Sequence, residues 1–102
     1  HFNPQLQAKD INDIGFVKWD SNGRLVSLKI TKSNLKIIPE SIGDLSKLYE
    51  LNLDNNLINT LPPSICLLPK KTYISVSKNR LCDDYLFDCI NYSRKQDTSN
   101  CP

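Results

Sequence analysis

Leu25-Val26-Ser27-Leu28-Lys29-Ile30-Thr31-Lys32-Ser33-Asn34-Leu35 is the stretch that decides the fold, because it comes back 23 residues later. Leu25, Leu28, Ile30 and Leu35 return as Leu48, Leu51, Leu53 and Ile58, and more loosely as Lys71, Ile74, Val76 and Leu81. The connecting segment repeats too, without a gap. Ile38-Pro39-Glu40-Ser41-Ile42-Gly43-Asp44-Leu45 aligns with Leu61-Pro62-Pro63-Ser64-Ile65-Cys66-Leu67-Leu68. Self-similarity at such a period marks stacked units, none of which buries its apolar side alone.

Alternation at Leu28/Ile30, Leu51/Leu53 and Ile74/Val76 predicts short strands with one face buried. Ser33, Asn56 or Asn79 follows each strand. An asparagine there bonds backbone groups as the chain turns away, and serine does so less completely. Pro39, Pro62, Pro63 and Pro69 exclude a long helix in the returns and predict extended or 3₁₀ turns. Upstream, two β-rich runs flank Asp20-Ser21-Asn22-Gly23 and read as a hairpin. Its first arm covers the open edge of the first strand, with Trp19 shielding the end of the core. Residues 1–14 fit a short helix or an extended arm. Downstream, Asp83 reads as an N-cap, and Leu86, Cys89 and Ile90 fall on one face at i, i+3 and i+4. A capping helix from Asp83 to Tyr92 is therefore expected, followed by a polar irregular tail.

The pattern LxxLxLxx(N)xL, held in Leu25–Leu35 and Leu48–Ile58 and more loosely in Lys71–Leu81, resembles the leucine-rich repeat family. The resemblance implies an α/β architecture: a short curved solenoid with a parallel β-sheet on its concave face, and protein or peptide binding as its work. With the flanking readings, the expected organisation is an N-terminal β-hairpin cap (1–24), three repeats (25–47, 48–70 and a partial 71–81) and a C-terminal helical disulfide cap (82–102). Leu81-Cys82 with a late cysteine is similar to the cysteine-bearing caps of extracellular members. Lys71, in place of the first leucine, marks a terminal unit.

The chain has 102 residues, enough for one domain with a modest core. A formal charge of +2, with Lys29, Lys32, Lys36, Lys47, Lys70, Lys71 and Lys78 scattered among acids, gives no reason to expect nucleic acid. No apolar run approaches the roughly 20 residues of a membrane helix. The chain begins at His1 and lacks methionine, which suggests a removed signal peptide or an excised domain. Four cysteines in so short a chain favour disulfides and a secreted or extracellular-surface location. Zinc is disfavoured, since no CxxC occurs and the only histidine is terminal. Cys66 and Cys89 lie 23 residues apart, one repeat. A step of about 4.8 Å between neighbouring strands suits a disulfide, which leaves Cys82 with Cys101. Cys82–Cys89 with Cys66–Cys101 is the alternative.

Neither a catalytic base nor a glycine-rich phosphate loop is found, so no enzyme, cofactor or metal is expected. Asp83, Asp84 and Asp88 match no calcium loop. Asn91-Tyr92-Ser93 is a glycosylation sequon, expected to lie away from the sheet if the chain is secreted by a eukaryote. The candidate binding residues are those alternating outward from the strands, Lys29, Thr31, Asn52, Asp54, Ser75 and Ser77, with Tyr49 and Tyr73 beside them. Tyrosine is enriched at binding hot spots. Three strands of about 15 Å present only about 200 to 300 Å², well below the roughly 800 Å² per partner of a standard interface. The expected function is protein-protein recognition by a secreted or cell-surface module, without catalysis. Either the partner also engages the caps, or binding is weak, or the domain is one piece of a larger assembly, with weak self-association a further option. A structural or adhesion role is the alternative.

Overall fold

The computed structural model describes residues 15–101, so the expectation for residues 1–14 lies outside the described residues. Four strands, β1 (Gly15–Trp19), β2 (Leu25–Ile30), β3 (Glu50–Asn52) and β4 (Tyr73–Ser75), form one sheet in chain order. β1 runs antiparallel to β2, and β2, β3 and β4 run parallel. The register steps by one repeat: Leu28 pairs with Leu51 and Leu51 with Ile74. The hairpin turn closes through the Gly23 N–H to the Asp20 carbonyl at 3.0 Å, with Gly23 at φ 77°. That left-handed value is one glycine adopts without steric cost.

The apolar columns of the repeat form the core. Leu28, Leu51 and Ile74 stack beneath the sheet, as do Ile30, Leu53 and Val76, all at most 2% exposed. Ile42 and Ile65 close the core from the other side, from 3₁₀ turns at Glu40–Asp44 and Pro63–Leu67. These returns pack so closely that a Cβ on Gly43 would sit 2.4 Å from the Ser64 carbonyl oxygen. Lys71 is exposed, so the first column ends at Leu25 and Leu48.

At the strand exits of the second and third repeats sits a buried carboxamide. Asn56 Nδ2 donates to the carbonyls of Ile30, Leu53 and Asp54, while Oδ1 accepts from the Ser33 and Leu35 N–H groups. Asn79 repeats the pattern one unit on, donating to Leu53, Val76 and Ser77 and accepting from Ile58.

The expected α/β solenoid with a helical cap is not what forms. Among the described residues there is no α-helix, only 3₁₀ turns on a small mixed sheet. The segment expected to be helical from Asp83 to Tyr92 holds a single 3₁₀ turn, Asp83–Tyr85. Ten residues rich in Asp, Tyr, Phe, Cys and Asn have low helix propensity and fall short of the about 12 an isolated helix needs. Cys89 is also tied one repeat back to Cys66. Tyr85, Leu86, Phe87, Cys89 and Ile90 nonetheless pack against the core.

Beyond that turn the chain returns to the sheet. Ser75 and Tyr92 form a parallel bridge, and the Val76 and Lys78 N–H groups donate to the carbonyls of Tyr92 and Arg94 at 2.8 Å. Gln96 takes the part of Asn56 and Asn79, accepting from Leu81 N–H and donating to the Val76 and Ser93 carbonyls. A fourth unit is thus present, spaced 17 residues from the third rather than 23 (Asn79 to Gln96). Two disulfides hold it: Cys66–Cys89, with Cα atoms 5.5 Å apart, and Cys82–Cys101, at 5.7 Å. This is the pairing that the repeat register ranks first. No helix among the described residues is long and apolar enough to cross a membrane.

Candidate functional site

Alternation along the strands leaves one face of the sheet without covering chain among the described residues, and the register sorts its side chains into rows. Ser27, Glu50 and Tyr73 form one row, and Lys29, Asn52 and Ser75 the next. Thr31, Asp54 and Ser77 follow by the same repeat. β1 adds Lys18 opposite Ser27 and Phe16 opposite Lys29. At the other edge, Tyr92 is bridged to Ser75, and the Arg94 N–H donates to Ser77 Oγ at 3.0 Å.

The polar centre of this face is internally bonded. Ser27 Oγ donates to Glu50 Oε1 at 3.0 Å, and Lys29 Nζ lies 3.6 Å from Glu50 Oε2. Asp54 Oδ1 accepts from Ser75 Oγ at 2.7 Å and from the Ser77 N–H at 2.8 Å. Asn52 Oδ1 accepts from the Asp54 N–H. These bonds fix both carboxylates and hold the serines beneath them: Ser27 and Ser75 are buried although they alternate outward.

Aromatic rings border that centre on both sides. Phe16 is 58% exposed, with Lys29 Nζ 5.7 Å from its ring centre. Tyr73 and Tyr92 are 40% and 42% exposed, their rings 5.7 Å apart, and Arg94 lies over Tyr92 at 5.4 Å. Partial desolvation pushes the Tyr73 phenol above its ordinary 10.0, and the neighbouring Tyr92, Asp54 and Glu50 push it the same way. At neutral pH it is a hydroxyl able both to donate and to accept.

Lys29, Thr31, Asn52, Asp54, Tyr73, Ser75 and Ser77 therefore fall in adjoining rows. Tyr49 does not. It stands in the column of Val26 and Thr72, out of step with Glu50 and Tyr73, because one residue of offset reverses the side of a strand. Phe16, Glu50, Tyr92 and Arg94 belong to the face but are absent from the expected set. Pairing across the predicted hairpin would have found Phe16, and the repeat would have found Glu50. Asn91 sits at the β4 edge, not away from the sheet, with its Oδ1 accepting from the Ile74 N–H at 2.7 Å. Trp19 is 43% exposed and lines a depression of about 420 Å³ with Gly23, Arg24, Leu25 and Asp44–Lys47.

Over 59 residues the chain is 37% identical to the leucine-rich repeat and fibronectin type-III domain-containing protein 4 of Rattus norvegicus, and equally to the protein of that name in Mus musculus. The match covers 56% of this chain and 9% of each relative. No family model matches the chain. No solved structure matches it either. At the level of sequence, the chain shares a leucine-rich-repeat-like segment with these proteins.

Proposed function

We propose that this chain is a leucine-rich repeat recognition module of the extracellular space that binds a protein or peptide partner, without catalysis, on the outer face of its sheet. The observation that carries this reading is the pairing of exposed Phe16 on one border with Tyr73 and Tyr92 on the other, across a bonded polar centre. Rigid aromatic rings beside fixed polar groups are the composition of binding hot spots. Two disulfides suit an oxidising compartment, and the similarity to leucine-rich repeat proteins supports the family. The centre's carboxylates are occupied in holding the face together, a role for scaffold groups rather than for proton transfer.

The test is to pan a displayed random-peptide library against the oxidised chain and measure enriched peptides against variants. Phe16→Ala, Tyr73→Ala and Tyr92→Ala should each weaken binding by roughly fivefold to thirtyfold. Leu67→Ala, on the return side and 74% exposed, should leave it unchanged. Enriched peptides that tolerate all three face variants but are lost with Leu67→Ala would place recognition elsewhere.

A further inference from the structure

The sequence shows lysines dispersed along the chain, but the fold gathers several of them. Each unit leaves its strand through a left-handed residue: Lys32 (φ 54°), Asn55 (φ 60°), Lys78 (φ 56°) and Lys95 (φ 59°). Hydrogen bonds tie these corners in succession. The Lys32 N–H donates to the Asn55 carbonyl, the Asn55 N–H to Ser77, and the Lys78 N–H to Arg94. The four corners form one column at about 4.8 Å per step, so Lys32 and Lys95 stand about 14 Å apart. All three lysines are exposed, and none is in a salt bridge among the described residues, where the pairs are Arg24–Asp20 and Lys29–Glu50. Asp97, two residues from Lys95, is bonded to Ser99 instead, and Asp54, beside the Asn55 corner, is bonded to Ser75 and Ser77.

A left-handed corner is where glycine or asparagine is ordinarily found, because other side chains crowd the backbone there. Asn55 follows that preference and the three lysines do not. Backbone geometry thus offers no reason for lysine at these positions, and the charge does. We infer that the column Lys32, Lys78 and Lys95 is a binding ridge for a linear sulfated polysaccharide. A line one residue wide matches a chain of anionic groups better than it matches a flat membrane. The returns carry exposed acids, Glu40, Asp44, Asp83 and Asp84, interspersed with lysines, so they offer no uniformly basic surface to a broad anionic one. The net charge of +2 is low for a nucleic-acid binder. This ridge is separate from the aromatic-bordered face and does not depend on that face binding a protein.

The test uses heparin as the probe, titrated into the oxidised chain at several salt concentrations. The variant is Lys32→Asn/Lys78→Asn/Lys95→Asn, which removes three charges while giving each corner a residue it prefers. It should melt at or above the temperature of the unaltered chain. Its heparin affinity should fall roughly tenfold or more, and the slope of log affinity against log salt by about two. Lys47→Asn/Lys70→Asn/Lys71→Asn removes the same charge elsewhere and should bind as the unaltered chain does. Equal heparin affinity in the ridge variant, or equal loss in the control, would overturn the ridge. Tighter binding to phosphatidylserine vesicles or single-stranded DNA than to heparin would overturn the polysaccharide.

Discussion

The carboxamides of Asn56 and Asn79 hold more backbone than any other side chains among the described residues. Each lies almost fully buried and bridges the corner of its own unit to the corner of the one before. Alanine at either position leaves several buried carbonyl and N–H groups without partners, each costing about 1 to 3 kcal/mol. Asn56→Ala and Asn79→Ala should each destabilise by about 3 kcal/mol in urea denaturation. Gln96→Ala should lose about 1 kcal/mol, because Gln96 is only half-buried and makes fewer bonds. A loss below about 1 kcal/mol at Asn56 would contradict the role given to these side chains. Asp54 shows the same logic on the outer face. Its bonds to Ser75 and Ser77 make it a part of the scaffold.

At the scale of elements, the legible parts were those that obey the 23-residue period. Leu28, Leu51 and Ile74 announce three parallel strands, Asn22-Gly23 announces the hairpin, and the spacing of Cys66 and Cys89 points to their bond. The fourth unit was hidden for two physical reasons. Its return is six residues shorter, and its corner carboxamide is carried by Gln96, whose extra methylene reaches the same backbone groups. The helix expected over Asp83–Tyr92 followed a true apolar pattern, since those side chains do reach the core. Periodicity over so short a run does not show that a helix will outcompete disulfide tethers. The returning segment also covers the β4 edge, and Cys82–Cys101 closes a 19-residue separation around it. Cys82→Ala/Cys101→Ala should cost about 3 kcal/mol. It should also speed amide exchange at Val76 and Lys78, which donate to that segment. Unchanged exchange at those two amides would show that the edge is held without the bridge.

For the whole molecule, the added rows from β1 and from Tyr92–Arg94 widen the outer face from three strands to five. At about 4.8 Å per row it remains small beside the roughly 800 Å² of a standard interface. On the proposed reading, the partner is a peptide or a narrow loop held by the aromatic borders. The proposed recognition face along the strands and the proposed basic ridge at their exits are two surfaces on one small sheet. The returns supply the packing beneath both. The most direct measurement is an amide chemical-shift map of the oxidised chain titrated with a panned peptide. The largest changes should fall at Phe16, Lys29, Asn52, Tyr73, Ser75 and Tyr92. Changes confined to the return turns, Glu40–Asp44 and Pro63–Leu67, would contradict the assignment of recognition to the outer face.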